Sequence, residues 1–215
     1  MAQSSFNHSD IPIRLFKSNF LEFFTHIHPA VIVVIWAPVA VFFLAQAVID
    51  SPAGMGMAGI PLGFLLGLLI WTFIEYVLHR FVFHFPARSP RLQSLLYLFH
   101  GIHHQQPQCK TRLVMPPIVS IPMAALFYGL FKLLVADLVG LSQWLGPIFA
   151  GFVVGYLGYD LTHYAVHHFR MNRGFLKYLK RYHMLHHFKT PEQRFGVSSP
   201  LWDIIFGTKP ADNTP

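Results

Sequence analysis

Eleven of the fourteen histidines in this 215-residue chain stand in four tight clusters: His79 and His84; His100, His103 and His104; His163, His167 and His168; His183, His186 and His187. Neutral imidazole is a ligand for zinc, copper, iron and nickel. In the spacing H-x-x-H-H, which starts at His100 and again at His183, residues three and four apart are neighbours on a helix surface. Three imidazoles can then converge on one point or on two adjacent points. His163 and His167, four apart, share a face in the same way. His79 and His84 are five apart, about 140° around an α-helix. They diverge unless the helix unwinds near Pro86, and are expected to serve different ions.

Without His168, ten histidines remain, far more than the four donors that close a structural zinc site, so two ions with about five nitrogens each is the economical count. Such a centre lacks the carboxylates of ferritin-like di-iron proteins, and its charge must be offset by hydroxide, water or outlying acids. Glu75, four before His79, and Asp160, three before His163, are placed to accept imidazole N–H bonds. His168, beside His167, is expected near the ligands rather than on a metal. His8, His26 and His28 belong to no cluster and are expected not to bind. The single cysteine, Cys109, makes neither an intramolecular disulfide nor a CxxC motif, and reads as structural.

The elements that must position these side chains are apolar. The chain is 53% hydrophobic and 12% charged, too apolar for an ordinary soluble domain of this length. Four apolar runs predict membrane spans at about 30–49, 58–78, 113–136 and 138–160, each near the ~20 residues a span requires. Residues 1–29 carry Asp10 and Glu22 ahead of any apolar run, unlike a secretory signal, so the first run is expected to be an uncleaved anchor. The net charge of +7 does not indicate nucleic acid, because its Lys and Arg residues, apart from one lysine inside the third run, lie before, between and beyond the spans. Arg14 and Lys17 precede the first run, Arg80 to Arg112 hold five basic residues, and Arg170 to Lys209 hold eight, while Asp50 to Gly59 holds none. The positive-inside rule then places both termini and the central loop in the cytosol.

The fold class expected is therefore all-α and integral to the membrane: four transmembrane helices in two hairpins, with a cytosolic helical cap holding the histidine-rich dimetal site. Residues 1–29 form a cytosolic N-terminal segment, and 30–215 a membrane domain whose cap is 79–112 and 161–215. Short helices are expected at Leu92 to His104 and Phe175 to His187. Two rival classes fit less well. A metal transporter needs ionisable ligands near the bilayer midplane, and these spans offer almost none. A bis-histidine haem carrier needs only two ligands per haem, which leaves the repeated H-x-x-H-H unexplained.

With these residues in view, the chain resembles the fatty acid hydroxylase and sterol desaturase superfamily. The superfamily's H-x-x-x-x-H, H-x-x-H-H, H-x-x-x-H and H-x-x-H-H series matches His79 and His84; His100, His103 and His104; His163 and His167; and His183, His186 and His187. Flanking text is similar to the fatty acid 2-hydroxylase branch: His79-Arg80-Phe81, Arg112-Leu113-Val114, Pro116-Pro117, Gly155-Tyr156, Tyr159-Asp160 and the tail Phe195-Gly196-Val197-Ser198 with Trp202-Asp203. The tail reads equally as a loop packed on the cap. The eukaryotic members commonly carry a haem domain that residues 1–29 do not resemble, so electrons are expected from a separate donor protein.

The resemblance implies a non-haem di-iron monooxygenase. It converts R–H, molecular oxygen, two electrons and two protons to R–OH and water, at carbon 2 of a fatty acid or ceramide acyl chain. Desaturation, or sterol or carotenoid oxidation, is the alternative outcome within the superfamily. Abstraction of hydrogen from an unactivated carbon exceeds side-chain acid or base strength, so the histidines are ligands rather than general bases. Zinc is expected to replace iron in isolated protein, since it outranks ferrous iron in affinity for nitrogen sites. The host membrane implied is the endoplasmic reticulum or a bacterial inner membrane.

Overall fold

The computed structural model describes residues 11–50 and 56–210; His8 and residues 51–55 lie outside the described residues. Nine α-helices are found among them: α1 Asn19–Phe23, α2 Pro29–Ile49, α3 Gly56–Val77, α4 Pro90–Leu96, α5 Ile102–Gln105, α6 Pro117–Phe131, α7 Ser142–His168, α8 Gly174–Phe188 and α9 Leu201–Ile205. Three wider π-helical segments, Leu78–Phe83, Tyr97–Gly101 and Lys132–Leu138, extend or join them.

Four helical stretches are long and apolar enough to cross a bilayer: Pro29–Ile49, Ala58–Phe83, Pro117–Leu138 and Ser142–His168. The shortest, of 21 residues, spans ~31 Å at 1.5 Å per residue, which matches a hydrocarbon core of ~30 Å. The chain is thus a multi-pass membrane protein. Several boundaries differ from the apolar runs, and the second span runs on to Phe83, past the expected 78, through the π-helix Leu78–Phe83. The third span starts at 117, not 113, because Pro116 and Pro117 hold the preceding backbone extended. The fourth starts at Ser142 because the backbone reverses at Gly140, whose φ of +75° suits a residue without Cβ. Hydropathy also stops before the helix does: α7 continues eight residues past the expected end at 160, carrying His163 and His167 on the same helix.

Two compact units share this chain, and α3 and α7 contribute to both. The membrane unit comprises Pro29–Thr72 and Met115–Gly158. Within it, α3 and α7 touch backbone to backbone. A Cβ added at Gly67 would lie 2.0 Å from the Ile148 carbonyl oxygen, and one at Gly151 would lie 2.0 Å from that of Phe64. Small residues spaced four apart, Gly63 and Gly67 against Gly151 and Gly155, allow that approach in lipid, where helix association depends on close packing rather than on hydrophobic exclusion. Around the contact, Trp71 packs edge-on against Phe152 at 5.1 Å and Tyr156 at 5.3 Å, and Trp36 Nε1 donates to Ser120 Oγ at 3.2 Å. An apolar cavity lies among Trp36, Trp71, Met123, Phe127, Phe152 and Tyr156. The outward residues Val34, Val41, Phe42, Leu65 and Leu126 are exposed, as suits a surface that lipid covers.

The second unit comprises Phe73–Val114 and Tyr159–Pro215 together with the segment before α2. That segment does not stand apart from the cap as an independent stretch. Residues 11–28 are tied to the loop that follows α5 by buried and half-buried polar side chains. Gln106 accepts from Ile13 N at 2.9 Å and donates to the Ile11 carbonyl at 3.1 Å. Arg112 donates to Glu22, Thr25 and the Ile13 carbonyl, and Glu22 Oε2 accepts from Leu15 N and Phe16 N at 2.9 and 2.8 Å. His26 joins this knot through Thr111 at 2.8 Å, which gives a structural reason for a histidine outside the clusters.

Candidate metal centre

Five helical elements of the second unit, counting the end of α7, deliver the clustered histidines. The first pair depends on a local departure from α geometry. The π-helix Leu78–Phe83 widens the turn, and His84 N bonds to the His79 carbonyl at 3.1 Å, five residues back. This closure brings residue 84 over residue 79, and their rings lie 5.0 Å apart. The expectation that they diverge to separate ions is therefore corrected: both join one group. A second π-helix, Tyr97–Gly101, leads into α5 and carries His100, with His103 and His104 on α5 itself. The end of α7 carries His163 and His167, and the buried face of α8 carries His183, His186 and His187.

All ten side chains converge in two groups of five. One holds His79, His84, His100, His104 and His186; the other holds His103, His163, His167, His183 and His187, and in each the candidate ligand atoms lie within 4.8 Å of one another. The two H-x-x-H-H motifs are each divided by the same rule. Members four apart, His100 with His104 and His183 with His187, stay together, while the residue between them, His103 or His186, turns to the other group.

The separations fit coordination better than hydrogen bonding. His100 Nε2 lies 3.0 Å from His79 Nε2 and 2.9 Å from His104 Nε2. His183 Nε2 lies 3.0 Å from both His167 Nε2 and His187 Nε2, and His103 Nε2 lies 2.9 Å from both His163 Nε2 and His187 Nε2. A metal–nitrogen bond of about 2.1 Å makes adjacent donors about 3.0 Å apart at right angles and about 3.4 Å apart in a tetrahedron. The observed edges match the first. The Nε2 atoms of His84 and His186 are buried without a hydrogen-bond partner among the described residues.

Protonation does not relieve the crowding. Burial first, and the neighbouring imidazoles second, hold His100, His103, His104, His183 and His187 well below the ordinary imidazole value. Burial lowers His84 to about 4 and, with His84 beside it, lowers His186 to about 3. Neutral imidazoles with lone pairs aimed at a common point are what a divalent ion requires.

The residues expected around the ligands are placed as follows. Glu75 is buried, but its carboxylate does not accept an imidazole N–H. It accepts from Val197 N at 2.6 Å, Ser198 N at 2.8 Å and the Ser198 hydroxyl. The Nδ1–H of His79 goes instead to the Phe195 carbonyl, because the C-terminal segment, not the α3 face, covers that side of the ring. Asp160 is buried on α7. His168 belongs to neither group and packs against Tyr164, ring centroids 4.7 Å apart. His26 and His28 are outside both groups. Asp203, fully buried, was not legible as a candidate; its only sequence signal is its place in the Trp202-Asp203 tail text.

Fold and site together define a class: a multi-pass helical membrane protein with two adjacent, buried, all-histidine groups suited to a dimetal centre. The family model for fatty acid hydroxylase matches residues 64–208. The chain is 39% identical, over 94% of its length and 82% of the relative's, to a dihydroceramide fatty acyl 2-hydroxylase of Arabidopsis thaliana. It is 36% identical to the fatty acid 2-hydroxylase of Mus musculus, over 92% of its length but only 56% of the mouse protein. It also superposes on full-length scs7p, in which only the hydroxylase domain is visible, with a TM-score of 0.81 and 38% identity over 92% of this chain and 72% of that one. The chain belongs to the fatty acid hydroxylase family. It is a histidine-rich, metal-dependent oxidoreductase.

Proposed function

We propose that this protein inserts one oxygen atom at carbon 2 of the fatty acyl chain of a ceramide-type lipid or its fatty acid, using two iron ions, molecular oxygen and electrons from a separate donor protein. The observation that carries the reading is the pair of five-histidine groups, on a chain whose relatives are named as acyl 2-hydroxylases of fatty acids and ceramides. Bound iron would supply oxygen activation and the hydrogen abstraction that no side chain can perform. The ten imidazoles would hold the ions, and the depressed basicity of His84, His100, His103, His104, His183, His186 and His187 keeps protons from competing for Nε2. Burial of nearly all of them limits water at the reacting carbon.

The apolar, aromatic cavity of the membrane unit has the chemistry of an acyl chain rather than of a sugar or nucleotide. Lys and Arg asymmetry supports a cytosolic position for both termini and the histidine cap, where a soluble or tethered electron donor has access. The endoplasmic reticulum or a bacterial inner membrane suits that arrangement.

The decisive experiment is lipid mass spectrometry of cells with and without the gene. A gain of one oxygen, located at carbon 2 by fragmentation, is the expected result. A new double bond, or oxidation of sterol or carotenoid with acyl chains unchanged, would replace this reading with desaturation or ring oxidation. Zinc-loaded preparations should be inactive and regain turnover on reconstitution with iron and an electron donor. Turnover by zinc-loaded protein would refute the iron assignment.

A further inference from the structure

The coil from Gln193 to Ser198 touches two ligands of one metal group and none of the other through hydrogen bonds. His186 Nδ1 donates to the Gln193 carbonyl at 2.7 Å, and His79 Nδ1 donates to the Phe195 carbonyl. These rings come from α8 and from the extension of α3, yet they are oriented by carbonyls two residues apart. A histidine that donates from Nδ1 has its lone pair on Nε2, the atom that both rings direct into the group.

The coil that presents those carbonyls is itself strained and held. Arg194, between them, has φ +61°, a conformation that non-glycine residues keep only when the surroundings enforce it. Its N–H bonds to the Thr208 carbonyl at 3.1 Å, and its guanidinium to Thr190. Gly196 has no room for a side chain, since a Cβ would lie 2.0 Å from the Ser199 carbonyl oxygen.

Two buried carboxylates then grip the next four amides. Asp203 Oδ1 accepts from Phe195 N at 2.9 Å, and its Oδ2 accepts from Gly196 N at 2.7 Å. Glu75 takes Val197 N and Ser198 N. The Thr208 hydroxyl completes Asp203 at 2.6 Å. Asp203 thus holds the amide of the same residue whose carbonyl holds His79.

We infer that Asp203 is a positioning residue for one metal of the pair: by fixing the Phe195 peptide it sets the orientation of His79, and with it the affinity of the group His79, His84, His100, His104 and His186. Asp203 reaches neither metal group directly, and the other five histidines do not depend on it. The inference rests on the dimetal reading above. Outer partners of metal-bound histidines carry about 10–100-fold in affinity, and that is the effect expected here, confined to one ion.

The test uses the full chain purified in detergent, loaded with cobalt(II), and titrated with a chelator. Metal per chain is followed by mass spectrometry and by the ligand-field spectrum, with His84→Ala and His163→Ala marking loss from each group. In Asp203→Asn the shape is kept but one amide faces an N–H donor. One ion should be released at about 10–100-fold lower chelator concentration than in the parent, with a difference spectrum that overlays that of His84→Ala. Asp203→Glu, which restores the charge, should recover part of that shift.

Release of both ions together from a folded variant, release of both at the parental concentration, or a difference spectrum like that of His163→Ala would overturn the inference. If Asp203→Asn does not fold, Thr208→Val, which removes one bond to Asp203, is judged by the same outcomes. A parent that binds no cobalt would instead refute the dimetal reading itself, so the two failures are distinct.

Discussion

Substitution of Gly151 by alanine tests whether the α3–α7 crossing is as close as the structure has it. The new Cβ would sit 2.0 Å from the Phe64 carbonyl oxygen and 2.8 Å from its carbon. Both obstacles are helix backbone and cannot swing aside. Since real Cβ contacts stay above 3.0 Å, the helices must separate by about 1 Å, which loosens the edge-on contacts of Trp71; overpacking of this kind costs about 1–3 kcal/mol. Alanine returns up to ~1 kcal/mol of helix propensity, so a net loss of ~1–2 kcal/mol is expected.

Gly158, two turns further along α7, supplies the internal control. A Cβ there meets nothing within 4 Å, so the propensity gain stands alone and Gly158→Ala should stabilise. Thermal unfolding in one detergent reads both, at about 2–4 °C for each kcal/mol in a chain of this length. Gly151→Ala should unfold several degrees below the parent, and Gly158→Ala at or above it. Equal Tm values for the two variants would show that α3 and α7 do not cross at these glycines, and the packing argument for the membrane unit would fail.

Three further outcomes follow from the second unit. His167→Ala should lower bound metal below two ions per chain and abolish hydroxylation, whereas His168→Ala should keep both ions, since His167 lies 3.0 Å from His183 Nε2 and His168 is in neither group; the reverse in metal analysis would mean His168 is the ligand. Stripping metal with a chelator should lower Tm, and adding zinc or iron should restore it, because ten imidazoles, eight of them buried, are left facing one another without it; an unchanged Tm would refute a bound metal.

The third concerns Glu22. Burial acts to raise its carboxyl, but the amides of Phe16 and Leu15, with His26 and Arg112, together hold it below the usual range. Its contribution is therefore complete above the ordinary glutamate value of ~4.3 and lost as pH falls through the lowered one. Glu22→Gln should flatten that acid loss of stability, which pH-dependent unfolding would register.

The sequence by itself determined the chemistry and the number of spans. Hydropathy counts residues in a span, and four apolar runs of the right length predict four helices whatever packs against them. Clustered histidines at three- and four-residue spacing must share a helix face, so His163 with His167 and the members four apart in each H-x-x-H-H were legible as pairs. What depended on backbone detail was not. His79 and His84 look divergent on an α-helix and share a group only because a π-helical turn intervenes, a departure without a composition signature. Helix ends escaped for the same reason: apolar character ends near residue 160, while backbone hydrogen bonding carries α7 to His168. Tertiary structure alone decided how ten imidazoles divide into two groups of five, because the middle histidine of each motif, His103 or His186, is claimed by whichever helix lies opposite. It also decided what orients them. Glu75 lies one turn from His79 and seemed placed to accept its N–H, but a coil more than a hundred residues later takes that bond. Such partners are set by packing between distant segments, and no local spacing encodes them.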